Sequence, residues 1–507
     1  MFKIRKFARE NFFVILVAFM ALTLFLLRFV HLTILPVFAD EAIYIRWAQV
    51  MKAEETLRFL PLSDGKEPLF MWVAMFFLRI IHDPLLAARI ESVVCGFATM
   101  IGIGLLSWLL FKNKKVVVVS VLIYSVLPFA FFFDRLSLVD SMLAMFGVWT
   151  FIFAYLSFTK ERLDFAMLTG FALGGAWLTK SPALFFALLL PTLWVFIKSP
   201  KSIFRIFPLT LVTVIIGYGL YNILRLGPNF ELIASRNLDY VYPISHILKS
   251  PLNPLVDNLK SVANWIWLMG GVGIIALWIY GLYVNFRKYW KQCAILIIWL
   301  LGPVFAQAEY AKVFTARYVL FSLPFFIIIA ASAFADARKL SSKILMVLVI
   351  ILIAQSIIFD FNLLTNPARA ALPRSERSGY LEDWTNGAGI KDVAEYIVRE
   401  QSLHPDKKIV IGTEGYFGTL PDGLEIYLNS YPKITVIGVG LNFSDVPQPL
   451  LDSQKSGNTT YLVINNDRFK GDWQKEGLKL VASYPKAQKP DGTHETLMFF
   501  ELPLIGK

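Results

Sequence analysis

The sequence predicts a polytopic α-helical membrane protein of about eleven spans, followed by a C-terminal α/β domain. Hydrophobic residues make up 56% of the 507 residues, more than soluble globular chains contain. Long apolar runs alternate with short gaps, and every second gap is rich in Lys and Arg, as cytoplasmic loops are. The net charge of +12 arises in these gaps and does not indicate a nucleic-acid partner.

The first predicted span extends from Phe12 to Leu35. The basic residues that precede it are Lys3, Arg5, Lys6 and Arg9. This cation excess predicts a cytoplasmic N-terminus. Val37-Phe38-Ala39 resembles a signal-peptidase site, but secretory apolar regions run only about 7–15 residues, which favours an uncleaved helix. Arg28 interrupts the span, and we expect its side chain to extend toward the membrane surface.

The later spans are predicted from apolar runs over residues 84–111, 116–133, 138–158, 163–178, 183–197, 206–224, 265–284, 294–308, 318–335 and 344–361. The run 69–81 is too short to cross a bilayer, so it is predicted to be a helix at the outer interface. Residues 36–84 then form one large external loop. The membrane domain is predicted to cover residues 1–361.

Residues 362–507 are predicted to form a soluble extracytoplasmic α/β domain. An amphipathic helix pattern covers residues 390–400. Strand-length apolar stretches occur at 408–412, 434–439, 461–464, 478–483 and 496–502. The parity of the spans places this domain on the side of the membrane opposite the N-terminus.

Acids and bases occur together in the predicted external loops, whereas the cytoplasmic gaps hold few acids. They include Asp40, Glu41, Lys66, Glu67, Arg135, Asp140, Lys180, Glu309, Lys312 and Arg317. A carboxylate can remove the proton of an acceptor hydroxyl, and cations can stabilise the charge on a departing phosphate. This set therefore suits group transfer from a lipid phosphate. A divalent metal could share the acids, although no ligand spacing requires one.

Several of these residues also have a structural interpretation. Asp40 and Glu41 could cap a helix over residues 42–52. Arg135 and Asp140 could form an ion pair at the end of a span. Near the long fourth loop, four polar residues could line a sugar pocket: Tyr221, Arg236, Asn237 and Tyr240.

A known sequence pattern connects these residues. Its elements are Phe38-Ala39-Asp40-Glu41 with Tyr44, Lys66-Glu67-Pro68-Leu69 with Trp72, Ala88-Arg89, Asp140, Leu178-Thr179-Lys180-Ser181-Pro182, and Arg317-Tyr318 with Pro324. Over residues 1–360 the chain thereby resembles polyprenyl-phosphate-dependent glycosyltransferases of the GT-C class, such as protein O-mannosyltransferases and lipid A aminoarabinose transferases. Glu67 stands where the family usually has proline, and Ser181 where it usually has glycine.

The resemblance implies a role for each candidate residue. Asp40 would be the catalytic base, and Glu41 would position it or assist a metal ion. Lys66, Arg135 and Arg317 would bind the donor phosphate, while Asp140, Glu67, Tyr44 and Lys180 would orient the substrates. The implied reaction moves one sugar, with inversion, from a polyprenyl-phosphate donor to a lipid, glycan or protein acceptor on the outer face of the plasma membrane.

The alternative function is a secondary transporter or lipid flippase. Transporters place ionisable residues near the bilayer midplane and contain inverted repeats with broken helices. Here the acids gather at one predicted face and no internal repeat is visible. These features favour the enzyme.

Overall fold

The computed structural model describes residues 12–197, 199–335 and 339–503. The N-terminal basic residues Lys3, Arg5, Lys6 and Arg9 lie outside this range. The chain forms two units, and the first takes in Met1–Val30, Arg58–Val73 and Arg89–Pro373. The second takes in His31–Leu57, Ala74–Ala88 and Arg374–Lys507. The C-terminal domain thus shares a unit with two segments of the predicted external loop, whereas the boundary at residue 361 stays a prediction.

The α-helices are, in chain order, α1 (Phe12–Leu26), α2 (Ala39–Ala53), α3 (Leu69–Ile80), α4 (Pro84–Phe111), α5 (Lys114–Val126), α6 (Pro128–Phe133), α7 (Val139–Lys160), α8 (Leu163–Trp177), α9 (Leu184–Leu189), α10 (Ile203–Tyr221), α11 (Leu232–Tyr240), α12 (Ile244–Lys249), α13 (Leu255–Asn285), α14 (Trp290–Tyr310), α15 (Leu323–Ser332), α16 (Lys339–Thr365), α17 (Arg374–Arg377), α18 (Ile390–Leu403), α19 (Asp422–Leu428) and α20 (Gln448–Lys455). Short 3₁₀ helices that matter for the site are Leu60–Asp64, Ser181–Ala183 and Ala316–Ser322.

Six helical segments of the described chain are long and apolar enough to cross a membrane. They are Pro84–Phe111, Val139–Lys160, Pro200–Leu226, Leu255–Asn285, Trp290–Tyr310 and Lys343–Thr365. Shorter apolar helices cover Val14–Phe29, Leu69–Ile80, Leu163–Trp177, Ser181–Phe196 and Ala316–Ser332. The polytopic helical class is therefore confirmed, while the count of about eleven spans stays a prediction.

Close helix packing in the first unit depends on small residues. Gly170 and Gly174 lie one turn apart on α8 and face α10. A Cβ atom at Gly170 would lie 2.7 Å from the Cβ of Ile216, and one at Gly174 would lie 2.5 Å from Leu220. Any larger residue would push the helices apart, as in other membrane helix pairs with small residues four apart.

Arg28 is fully buried in the first unit, so the expectation that it extends to the membrane surface was wrong. Its guanidinium donates to the carbonyl oxygens of Tyr124 and Ser125, at 2.8 and 2.7 Å. Its Nε lies 3.3 Å from Asp134 Oδ2. Burial is tolerated because a counter-charge and two backbone acceptors replace water.

The second unit contains a five-stranded mixed sheet, in the order β2-β1-β3-β5-β4. The strands are β1 (Ile409–Glu414), β2 (Ile434–Gly440), β3 (Thr459–Asn465), β4 (Lys479–Pro485) and β5 (Thr496–Leu502). β1 pairs in parallel with β2 and β3, whereas β5 pairs antiparallel with β3 and β4. All five predicted strands and the predicted helix at 390–400 are present.

Helix α2 from the predicted external loop belongs to the core of the second unit. Ala42 and Ile45 are fully buried in the same apolar cluster as Ile390 and Ile411. The preceding backbone also joins this unit, because the Ala39 N–H donates to the carbonyl oxygen of Thr385 at 3.0 Å. The apolar residues of α2 are therefore buried against residues of the C-terminal domain, within the second unit.

Candidate active site

A cavity of about 280 Å³ in the first unit gathers four segments that are distant in sequence. Its walls come from residues 65–67 before α3, residues 180–185 after α8, residues 237–241 at the end of α11, and residues 307–318 from the last turn of α14 onward. Lys66, Glu67 and Lys180, three site residues predicted from the sequence, all line it.

Backbone hydrogen bonds join these segments in pairs. The Leu69 N–H donates to the Leu178 carbonyl at 3.0 Å, which connects the first residue of α3 to the residue that follows α8. The Tyr242 N–H donates to the Tyr310 carbonyl at 2.7 Å, and Lys312 N–H donates to the Tyr240 carbonyl at 2.8 Å. These bonds satisfy backbone groups at helix ends and hold the cavity walls in place.

Gly65 allows the chain to turn into the cavity. Its φ is +67°, a left-handed conformation that glycine adopts without strain. A Cβ atom here would lie 2.7 Å from the carbonyl oxygen of Leu232. The adjacent Asp64 forms an ion pair with Arg236 of α11. Lys66 and Glu67 are thus presented from a turn that a larger residue would disturb.

Two lysines of the cavity are held by aromatic rings. Lys66 Nζ lies 4.5 Å from the ring centre of Tyr240 and 3.4 Å from its hydroxyl. Lys180 Nζ lies 4.2 Å from the ring centre of Tyr318 and 2.6 Å from Asp140 Oδ1. Cation–π contacts and an ion pair thus restrain both ammonium groups, which makes this part of the cavity suited to an anion.

A buried carboxyl group lies beside these cations. Glu67 is 4% exposed, and its Oε1 accepts a hydrogen bond from Ser181 Oγ at 2.6 Å. Ser181 Oγ in turn accepts from Asn237 Nδ2 at 3.3 Å. Burial raises the pKa of Glu67, although the bond from Ser181 and the charges of Lys66 and Lys180 act against this rise.

Arg135 and Arg317 do not line this cavity in the described part of the chain. Arg135 is buried, and one guanidinium nitrogen donates to the carbonyl oxygens of Arg28 and Val30 at 2.7 and 2.8 Å. Arg317 is half-buried, 5.5 Å from the ring centre of Tyr318. Their contact with a donor phosphate stays a prediction, and the carbonyl bonds of Arg135 favour a structural role.

Asp40, Glu41 and Tyr44 lie in the first turns of α2, in the second unit. Glu41 is fully buried, and its Oε2 accepts a hydrogen bond from the Phe38 N–H at 3.0 Å. Its side chain therefore caps the start of the helix. Asp40 is partly exposed. Asp40 and Tyr44 share a helix face because they are four residues apart. The structure thus separates the acidic pair into a capping residue and a more accessible carboxylate.

Comparisons with known proteins provide independent information. Residues 65–225 match the family model for dolichyl-phosphate-mannose-protein mannosyltransferase. No curated protein matches the chain. Among solved structures, ArnT from Cupriavidus metallidurans bound to undecaprenyl phosphate has a TM-score of 0.61 at 15% identity, covering 98% of this chain and 99% of ArnT. The archaeal oligosaccharyltransferase AglB from Archaeoglobus fulgidus, in complex with an inhibitory peptide and a dolichol-phosphate, has a TM-score of 0.52 at 11% identity, covering 96% of this chain and 74% of AglB.

These matches indicate a membrane glycosyltransferase with the GT-C fold. The matched segment of the glycosyltransferase contains Lys66, Glu67, Asp140, Lys180 and Ser181. Asp40 precedes this segment, and the cavity residues between Asn237 and Tyr318 follow it. The comparisons thus favour the enzyme over the transporter or flippase.

A metal site in the glycosyltransferase stays a hypothesis. Asp40 and Glu41 could offer carboxylate oxygens to a hard divalent cation. However, one of the two carboxyl groups, that of Glu41, already accepts a backbone hydrogen bond. The described residues contain no group of three or more His, Cys, Asp or Glu side chains placed to hold a metal ion.

Several cavity residues of the glycosyltransferase could not be distinguished by sequence. Asn237 and Tyr240 line the cavity, whereas Tyr221 and Arg236 do not, although all four were candidates. Tyr310 and Tyr318 also line it. Aromatic residues at the ends of apolar runs usually anchor helices at the membrane interface, so their sequence positions carry no specific signal for a pocket.

Proposed function

We propose that this glycosyltransferase moves a single sugar from a polyprenyl-phosphate donor to a lipid, glycan or protein acceptor on the outer face of the plasma membrane. The observation that carries the proposal is the pair of restrained lysines, Lys66 and Lys180, which line one aromatic cavity. Both belong to the segment that matches the mannosyltransferase model. The solved ArnT and AglB complexes with lipid phosphates support a donor of this chemical class.

The cavity suits the polar end of such a donor. Its volume of about 280 Å³ falls near the lower limit for small-molecule sites, so a single sugar fits better than an oligosaccharide. Lys66 and Lys180 would hold the phosphate through charge-assisted hydrogen bonds. The rings of Tyr240, Tyr310 and Tyr318 offer flat surfaces to the sugar.

The proposed reaction is a single displacement at the anomeric carbon. The acceptor oxygen forms a bond to this carbon while the bond from the carbon to the phosphate oxygen breaks. Asp40 takes the proton of the acceptor hydroxyl, and the lipid phosphate departs with the electron pair of the broken bond. The lysines stabilise the charge that develops on the departing phosphate. Attack from the opposite face inverts the anomeric configuration.

The membrane orientation is part of the proposal. The basic gaps of the sequence favour a cytoplasmic N-terminus and an extracytoplasmic C-terminal domain. Labelling of single cysteines by an impermeant thiol reagent in intact cells tests this orientation. Labelling of a cysteine placed at exposed Asp406, but not of one placed at exposed Lys115, is the expected result.

The test of the reaction uses the purified full chain and a panel of polyprenyl-phosphate donors with radiolabelled sugars. We expect release of the carrier phosphate with at least one donor and acceptor. Asp40→Asn should abolish turnover while the variant still binds the donor lipid. Undiminished turnover in this variant would remove Asp40 as the base.

Two further variants separate chemistry from folding. Asp406→Asn, at a fully exposed aspartate of the second unit, should retain full turnover. Glu41→Gln should weaken the hydrogen bond that caps the start of α2 and so lower the stability of the protein. Its effect on turnover of the folded fraction should be smaller. If no donor releases its carrier phosphate with any acceptor, the proposed reaction is wrong.

A further inference from the structure

Two polar residues of the cavity wall that lie far apart in sequence contact each other. Glu67 and Ser181 are 114 positions apart. Ser181 Oγ donates to Glu67 Oε1 at 2.6 Å. Asn237 Nδ2 extends the chain of hydrogen bonds by donating to Ser181 Oγ at 3.3 Å. All three residues line the cavity described above.

This hydrogen-bonded group makes one part of the cavity wall polar. It includes the carboxyl group of Glu67, which is only 4% exposed. Burying such a group is costly even when it is hydrogen-bonded. Ser181 uses its proton toward Glu67 and accepts from Asn237, so the three side chains have a fixed order and direction. A wall of this kind can discriminate between ligands by their polar groups.

Charge decides which polar group fits. The charges of Lys66 and Lys180 already act on the Glu67 carboxyl. A cationic amino group on the ligand would be repelled by these two lysines, whereas a neutral hydroxyl would not. A hydroxyl can both donate to and accept from a carboxyl group, whichever protonation state that group has.

We propose that Glu67, positioned by Ser181 and Asn237, recognises a hydroxyl group on the sugar of the donor and thereby selects a neutral, hydroxylated sugar. This inference rests on the proposed transfer from a lipid phosphate. Glu67 touches the sugar, whereas Ser181 and Asn237 are positioning residues. A donor that lacks the recognised hydroxyl leaves a buried polar group without its partner, which sites of this kind reject strongly.

The test compares one accepted polyprenyl-phosphate sugar with its deoxy analogues, each lacking a different hydroxyl. In the wild type, one analogue should have a kcat/KM lower by about 100-fold or more. Glu67→Gln and Ser181→Ala should reduce this ratio to about tenfold or less, by lowering kcat/KM for the hydroxylated donor only. The loss of kcat/KM in the double variant should not exceed that of the more impaired single variant, because both substitutions disrupt the same contact with the sugar.

Controls separate recognition from folding. Ser235→Ala, on the same helix as Asn237 but exposed, should retain the wild-type ratio. If a single variant fails to fold, the paired change Glu67→Pro and Ser181→Gly removes both partners of the hydrogen bond together and should show the same loss of discrimination. Equal losses of kcat/KM for the hydroxylated donor and the deoxy analogue, or discrimination that survives in the variants, would overturn the role of Glu67. Neither result would contradict the proposed function. A wild type that is inactive with every donor would overturn the proposed function as well.

Discussion

Asp140 Oδ1 lies 2.6 Å from Lys180 Nζ, and this pair joins the start of α7 to the segment that follows α8. The Asp140 side chain is 4% exposed and that of Lys180 is 21% exposed. The other oxygen, Asp140 Oδ2, is buried and has no hydrogen-bond partner among the described residues. The pair therefore directs the ammonium group of Lys180, which also lies over the ring of Tyr318.

Asp140→Asn should weaken both stability and turnover. Lys180 would lose the counter-charge that compensates its partial burial, at a cost of up to about 3 kcal/mol. The ammonium group would also leave its position in the cavity wall. The midpoint of chemical unfolding and kcat/KM with the donor measure the two effects.

The exposed pair of Arg162 and Asp164 provides a matched control, because its N–O distance is also 2.6 Å. Its side chains are 59% and 54% exposed, so solvent screens the interaction. Asp164→Asn should therefore leave the unfolding midpoint nearly unchanged. Similar losses in the two variants would contradict the importance that we assign to burial.

Lys66→Gln should weaken binding of the donor. One charge-assisted hydrogen bond to phosphate corresponds to about 1.5–3 kcal/mol, so the dissociation constant for polyprenyl phosphate should rise by about 10- to 100-fold. Tyr240→Phe should have a smaller effect, because the ring that faces the ammonium group is retained. Titration of intrinsic fluorescence with the lipid phosphate measures both values.

Lys260→Gln serves as the control for Lys66→Gln. The Lys260 side chain is 72% exposed and pairs with Asp257 on the surface of α13. Its replacement should leave the dissociation constant unchanged. A loss of affinity in both variants would indicate nonspecific attraction of the lipid by positive charge.

Arg135→Gln should reduce stability more than it reduces donor affinity. The variant removes the donor that serves the carbonyl groups of Arg28 and Val30, and each carbonyl left without a partner costs about 1–3 kcal/mol. The unfolding midpoint and the dissociation constant for polyprenyl phosphate distinguish the two roles. A stable variant that no longer binds the lipid would instead support the direct phosphate contact that the sequence predicted.

Asp422 should make the stability of the second unit depend on pH. Burial raises its pKa from 3.8 to about 6, although its Oδ2 accepts the Gly418 N–H at 2.6 Å. Because the folded state favours the protonated carboxyl, Asp422 stabilises the fold most below about pH 4. This contribution, of the order of 3 kcal/mol, is lost as the pH rises through 6.

Hydrogen exchange of the β1 amides tests this pH dependence. The stability of the wild type relative to Asp422→Asn should fall between about pH 4 and about pH 7, when both proteins are compared at the same pH. Asp406→Asn should show no such trend, because Asp406 is fully exposed. A difference that stays constant across this range would refute the assignment to Asp422.

Local sequence patterns predicted much of the fold. The length of the apolar runs and the basic gaps between them predicted the helical membrane domain, and apolar stretches of strand length predicted the five strands of the second unit. β2 and β5 begin at the residues where the apolar stretches begin, Ile434 and Thr496. Such features depend on neighbours within a few residues, so they can be read along the chain.

By itself, the sequence determined the membrane class, the C-terminal sheet, the acidic and basic residues of the candidate site, and the resemblance to a glycosyltransferase family. Only the tertiary structure decided which of these residues meet. It paired Glu67 with Ser181 and Lys180 with Asp140, directed Arg135 to backbone carbonyls, and placed α2 in the core of the second unit. The reason is physical: partners of buried charges and apolar faces are chosen by packing between distant segments, and residue type alone does not specify that choice.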